Sequence, residues 1–265
     1  MTAQLQVRVT GERVVSRAGG FNPTWQRHAA AYALCEPFLP AGRVLDLGCG
    51  VGHSFALLAP RETVGVDIDP RALENQARET LVADMRQLPF ADGTFSSVVA
   101  VHAIEHVPDP ERVVAEAARV LEAGGVAIFV TPNRLTLGRP DEIIDPYHHV
   151  ELDADQLRGV CESAYGKVDL RGVFGSDRYM DLFREERDTL DRLLARDPLR
   201  LRRAAPRRAR QLLYDLMLRR YRRVDDPRAQ AISVEDFELR RDGLDDCLDV
   251  CAICSSPRPV AQGES

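Results

Sequence analysis

Apolar residues in this chain fall in short runs separated by stretches with helical spacing. Arg43 to Leu47, Thr63 to Asp67, Thr80 to Ala83, Ser97 to Val101 and Val126 to Val130 read as five strands. The last is continuously apolar, as a strand buried on both faces would be. Residues 24–39 read as a helix leading into the core. His53 to Ala59 opens a second helix, and a third starts from about Pro70, because proline suits a first helical turn. Asp109 to Glu122 places Val113, Val114, Ala117, Val120 and Leu121 on one side, and Gly124-Gly125 is expected to end that helix. Asp153 to Glu162 is a further helix. Lys167 to Phe174 and Cys247 to Ser255 are the last two strands.

Strands alternating with helices predict an α/β, doubly wound, Rossmann-like fold with a seven-stranded, mostly parallel sheet. Between the last two strands lies a mostly helical insert, about Ser176 to Val224, broken at Pro198 and Pro206. The expected organisation is a core with an N-terminal helical segment over 1–175, a helical lid or insert over 176–232, a last strand region over 233–256 and a tail over 257–265.

Charge changes this picture locally. The net charge of −6 gives no global attraction to nucleic acid. Yet Arg200 to Arg223 holds ten arginines and one acid, Asp215. The first residues lack the apolar segment of a signal peptide, and no predicted element is long enough to span a bilayer, so a cytoplasmic protein is expected. Cys251 and Cys254 have the spacing of half a metal or redox motif. They lie in a strand, where positions i and i+3 face opposite sides, so they read as small core residues.

The candidate chemistry starts at Asp46-Leu-Gly48-Cys-Gly50-Val-Gly52, a strand end entering a helix. Glycines there let the backbone turn tightly and approach a ligand. Asp67 ends the next strand twenty-one residues after Asp46, a spacing that suits a carboxylate accepting from ribose hydroxyls. A dinucleotide fingerprint needs glycine where His53 stands, and a pyrophosphate would meet the like charge of Asp46. A cofactor bearing an amino group and a sulfonium would welcome that charge. S-adenosylmethionine is therefore favoured over NAD, which stays open.

These motifs resemble those of class I S-adenosylmethionine-dependent methyltransferases. Leu45 to Gly52, Val64 to Asp69, Val82-Ala-Asp84-Met85 with Leu88 to Phe95, Val107-Pro-Asp109, Leu121 to Gly125 and Thr131-Pro-Asn133 carry the likeness. It implies that Asp67 binds ribose, Ile68 packs on adenine, Asp84 accepts from the adenine amino group and the Met85 amide contacts the ring. A narrower set is similar to mycofactocin-oligosaccharide and related actinobacterial sugar O-methyltransferases: Thr10-Gly-Glu-Arg, Trp25-Gln-Arg27-His28, Thr131 to Arg134, Asp145-Pro-Tyr147-His148, Glu151 to Asp155 and Val234 to Glu238. The arginine-rich stretch departs from that pattern.

Methyl transfer to a hydroxyl needs the oxygen's proton removed, and ligands gather beyond the carboxyl ends of the strands. His102 and His106 follow the fourth strand, and His148 and His149 the fifth. His148 is the first candidate base, because the sugar-methyltransferase resemblance places a histidine after Pro-Tyr, and His106 is the second. Arg27 and His28 are candidates for the cofactor's carboxylate or for a surface role. No metal is expected, since no aspartate cluster is evident. The expected acceptor is a small molecule, sugar or glycan. A nucleic-acid methyltransferase and a non-catalytic cofactor-binding protein are the alternatives. The arginine-rich insert reads as a lid, as a basic stretch touching an anionic membrane, or as a helix packed on the core.

Overall fold

The computed structural model describes residues 22–52, 55–139, 142–197, 200–221 and 226–258. These form two compact units. One comprises residues 22–27, Ile144–Tyr147 and Gly175–Glu238; the other comprises His28–Ile143, His148–Phe174 and 239–258.

The strands are β1 (Val44–Leu47), β2 (Thr63–Asp67), β3 (Glu79–Val82), β4 (Phe95–Val101), β5 (Leu121–Pro132), β6 (Tyr165–Gly175), β7 (Phe237–Arg240) and β8 (Asp249–Pro257). The helices are α1 (Asn22–Cys35), α2 (Phe55–Leu58), α3 (Pro110–Val120), α4 (Arg134–Leu137), α5 (Ala154–Glu162), α6 (Asp177–Leu194), α7 (Arg207–Tyr221) and α8 (Pro227–Gln230). The strands make one sheet in the order β3-β2-β1-β4-β5-β8-β6-β7.

The Rossmann-like α/β expectation holds, but the sheet has eight strands and is mixed rather than seven-stranded and mostly parallel. β1 to β5 pair in parallel. β8 lies between β5 and β6 and is antiparallel to both. Its apolar run reads alike in either direction, so hydropathy carries no sign of its orientation. β7 has only four residues, two of them exposed, which is too brief an alternation to stand out.

Alternate residues of the central strands feed opposite faces. Val98 and Ala100 of β4 join Ala127 and Phe129 of β5 under α3 and α5, through Val113, Val114, Ala117, Leu157 and Cys161. Val99 and Val101 join Ile128 and Val130 on the other face, beside Ala31, Tyr32 and Cys35 of α1. Cys254 packs on the first face and Cys251 on the second, as the strand reading requires. All six cysteines are buried and free.

Two local expectations fail. Gly124 and Gly125 do not terminate α3, which ends at Val120; they lie inside β5. There they occupy an irregularity in pairing, between Phe95↔Leu121 and Ser97↔Val126. No helix follows Pro70. Asn75 adopts a left-handed φ of 61°, and the Gln76 side chain turns back to donate to the Ala72 carbonyl at 2.9 Å.

In the other unit, Ser176 caps α6 and its hydroxyl donates to Asp236 Oδ1 at 2.6 Å. Arg178 reaches both oxygens of the same carboxylate. Asn22 Nδ2 donates to the carbonyls of Ala229 (2.8 Å) and Ile232 (2.9 Å). The segment Ile144–Tyr147 is fastened to α7. The Tyr147 hydroxyl donates to Asp215, 3.0 and 2.9 Å from its two carboxylate oxygens, and Arg207 donates to the carbonyls of Pro146 (2.8 Å) and Tyr147 (2.9 Å). Among the described residues, no helix is long and apolar enough to cross a membrane.

Candidate functional site

The strand order reverses direction at β1, with β2 on one side and β4 on the other. Open α/β sheets bind ligands at such a switch point, outside the carboxyl ends of the strands. Two segments leave the sheet there. One is the glycine turn after β1; the other is the short 3₁₀ helix Ile104–His106 after β4.

Gly48, Gly50 and Gly52 have φ of 66°, 52° and 74°, in the left-handed region that side chains disfavour. A Cβ on Gly48 would lie 2.6 Å from the Ala103 Cβ, so that glycine also lets the two loops meet. A Cβ on Gly50 would meet nothing within 4 Å, so the space before it is open. The Gly50 amide donates to Asp67 Oδ2 at 3.0 Å, and the Asp69 amide donates to Asp67 Oδ1 at 2.9 Å. Gln76 donates to the Gly50 carbonyl at 2.7 Å and fixes the turn from behind. Within the turn, burial and the neighbouring Asp46 charge push the Cys49 thiol up to about 12, so it stays protonated and inert.

Asp46 is fully buried in β1. Its Oδ2 lies 2.9 Å from Arg78 Nη2, an ion pair whose alignment falls short of a hydrogen bond, and its Oδ1 accepts from the Tyr32 hydroxyl at 2.9 Å. The charge that recommended a cationic cofactor is thus compensated within the chain. Ile68, by contrast, is 66% exposed, an apolar side chain standing in the open beside Asp67. Asp84 follows β3, and hydrogen bonds from the Arg86 side chain hold its carboxyl below the usual range. Met85 packs partly buried, and its methyl lies 3.9 Å from where a Gly48 Cβ would stand. Arg27 is buried in α1 and belongs to the other unit. His53 lies outside the described residues.

Beyond β4, the Glu105 side chain is 1% exposed, and its Oε2 accepts from the Thr131 hydroxyl at 3.1 Å. Its carbonyl accepts from the amides of His149 (2.7 Å) and Val150 (3.3 Å), which draws the two loops together. His106 and His148 become ring neighbours, with centroids 5.3 Å apart. His148 Nδ1 lies 3.4 Å from Glu151 Oε1. Oxygen and nitrogen donors of Glu105, His106 and His148 all lie within 4.8 Å of one another. His102 takes another course. Its Nε2 stands 2.9 Å from the buried carboxylate of Asp249, and its ring packs edge-on against His28 at 4.2 Å.

A methyltransferase domain family matches residues 45–129 of the chain, from β1 through the middle of β5. A probable S-adenosylmethionine-dependent methyltransferase of Mycobacterium tuberculosis is 35% identical over 184 residues, covering 66% of this chain and 67% of that protein. The chain belongs to the S-adenosylmethionine-dependent methyltransferases. The chloroplastic tocopherol O-methyltransferase of Arabidopsis thaliana is 32% identical over 154 residues, covering 53% of this chain and 42% of that one. In fold, the methyltransferase is similar to an S-adenosylmethionine-dependent methyltransferase crystal structure from Thermotoga maritima, with a TM-score of 0.60 and 17% identity over 89% of this chain and 91% of that one.

S-adenosylmethionine is the cofactor of this methyltransferase, and the turn after β1 fits it. The open face at Gly50 admits a ligand where a side chain would intrude. The two oxygens of Asp67 accept the Gly50 and Asp69 amides, which aims the carboxylate at the open face where ribose hydroxyls would meet it. Ile68 offers an apolar surface to a flat ring. When bound, the cofactor supplies a methyl group on a sulfonium. The methyltransferase also relies on Gln76, which the sequence did not single out and which braces the turn across a long separation that no local pattern marks. Buried Asn133, the end of the Thr131-Pro-Asn133 motif, caps α4 and donates to the carbonyls of Leu244, Asp245 and Cys247.

Proposed function

We propose that this methyltransferase transfers the methyl group to a hydroxyl of a small-molecule, sugar or glycan acceptor. A hydroxyl oxygen attacks a sulfonium methyl poorly until its proton is lost. The observation that carries the reading is the meeting of His106 and His148 beyond β4, with Glu151 against His148 Nδ1. A carboxylate on one imidazole nitrogen orients the ring and leaves the other nitrogen for chemistry. The proposal assigns activation of the acceptor hydroxyl to His148 and His106. The likeness to a tocopherol O-methyltransferase supports oxygen as the acceptor atom. Asp67, Ile68, Asp84, Met85 and the glycine turn are assigned to the cofactor.

The test is a labelled-methyl screen against extracts and defined sugars, phenols and amines, with mass spectrometry of the product. Methylation at oxygen supports the reading, and methylation confined to nitrogen overturns it. His148→Ala is expected to lower turnover by about 10²–10⁴-fold, the range of general acid–base contributions, while calorimetry finds cofactor affinity unchanged. Normal turnover in that variant removes His148 from the assignment.

A further inference from the structure

The acceptor side of the site holds more negative charge than the proton chemistry above uses. Glu105 is buried and the Glu151 side chain is nine-tenths so, the one drawn from β4's end and the other from the loop after His148. Among the described residues, neither pairs with an arginine or lysine; their side-chain partners are Thr131 and His148. Glu151 Oε2 is fully buried with no hydrogen-bond partner. Among the described residues, buried Asp46 has Arg78 at 2.9 Å, whereas Glu105 has no nitrogen side chain as a partner and Glu151 has His148 on one oxygen only. Buried charge without compensation is costly, and a bound cation is one of the ways proteins supply it.

We propose that Glu105, His106 and His148 hold a divalent transition-metal ion, with the acceptor's hydroxyl oxygen completing the shell. Two imidazoles and one carboxylate make a mixed nitrogen and oxygen donor set that leaves coordination positions open. The donors lie within 4.8 Å of one another. Adjacent ligands at about 2.1 Å from an ion are about 3.0–3.4 Å apart, so side-chain movements of up to about an ångström close the set. Glu151 sits where metal-bound histidines usually have a carboxylate, on the nitrogen facing away from the ion. Thr131 plays the matching part for Glu105.

The inference rests on the hydroxyl-acceptor reading for its chemical purpose, though not for the binding itself. With both imidazoles on the ion, His106 and His148 activate the acceptor through the metal rather than as free bases, and a hydroxyl on the ion loses its proton to solvent water more readily. The oxygen lone pair then forms the new C–O bond as the C–S bond breaks. That bond's electron pair stays on sulfur, which becomes a neutral thioether.

The experiment is calorimetry and elemental analysis of the chelator-stripped full chain titrated with Zn²⁺ and Mn²⁺. One ion per chain is expected for at least one of the two metals. His106→Ala and His148→Ala are expected to abolish that site, and Glu151→Gln to weaken it about tenfold, the smaller effect of an orienting partner. Unchanged affinity for S-adenosylhomocysteine in each variant shows that the fold survives. Absence of a stoichiometric site in the wild-type chain, or wild-type metal affinity in both histidine variants, overturns the inference. Metal bound with methylation only at nitrogen defeats the hydroxyl reading and leaves the metal site standing. Full-rate methylation at oxygen by metal-free protein leaves the hydroxyl reading standing and overturns the ion's part in activating the acceptor.

Discussion

Arg78 Nη2 stands 2.9 Å from Asp46 Oδ2, and both side chains are buried. The pair joins the loop before β3 to the strand that launches the glycine turn. Breaking one partner leaves the other charge in the interior. Asp46→Ala or Arg78→Ala is therefore expected to cost about 3–5 kcal/mol, whereas replacing both with apolar residues of similar volume costs much less. Thermal denaturation of the two single variants and the double variant checks this. Equal and additive losses would rule out a coupled pair.

Asp67 and Gly50 act on the cofactor by different routes. Asp67→Ala removes the acceptor for the Gly50 and Asp69 amides and, on the proposed placement, for ribose. Gly50→Val forces a β-branched residue to a φ of 52° and fills the open face. Both are expected to abolish measurable S-adenosylmethionine binding by calorimetry. Wild-type affinity in both would defeat the placement of the cofactor at this turn.

Acid sensitivity should report on the unit holding α6. Burial pushes the Asp236 carboxyl up, but hydrogen bonds from Arg178, Ser176 and the Ser233 amide pull it down further, to about 2. A folded-state value below the unfolded one gives stability that is fully present above the unfolded value near 3.8. That stability is lost as pH falls from there toward 2. Arg178→Ala is expected to move the acid midpoint upward in a circular-dichroism titration. An unmoved midpoint would show that the carboxylate draws its stabilisation from other groups.

Leu212, Leu213 and Leu216 are all more than 60% exposed on α7, beside exposed Arg208. Changing all three to serine is expected to shift stability by no more than about 0.5 kcal/mol each. Of the three readings of the arginine-rich stretch, contact with an anionic membrane predicts that the variant loses co-sedimentation with phosphatidylglycerol vesicles. Retention equal to that of the wild type would count against the contact.

The parallel half of the fold was legible because each of its strands pairs with close neighbours and its apolar runs are self-contained. The same holds for the glycine turn, whose left-handed residues announce themselves as Gly48, Gly50 and Gly52. Misreadings arose where a residue's task lies far along the chain. Gln76 abandons a helix to hold Gly50, and Gly124 and Gly125 serve the pairing of β5 rather than the end of α3. On the acceptor side, His106 and His148 were each visible singly. Their adjacency, and the burial of Glu105 and Glu151 around them, came only from the docking of two loops through the Glu105 carbonyl. Asp46 shows the converse: a charge read as facing a ligand is consumed by Arg78 and Tyr32.

The position of β8 matters for how the protein is made. As the chain is synthesised, β5 and β6 emerge well before β8, with the whole stretch from α6 to β7 between them. Until Asp249–Pro257 arrives, neither has the neighbour that joins them, and pairings such as Ile128↔Ile253 and Leu170↔Ala252 cannot form. Two unpaired strand edges, one of them strongly apolar, are then presented to other nascent chains. A hazard in producing this enzyme is therefore expected in the interval before its sheet is joined, an interval set by the length of chain between β6 and β8 rather than by the stability of the finished molecule.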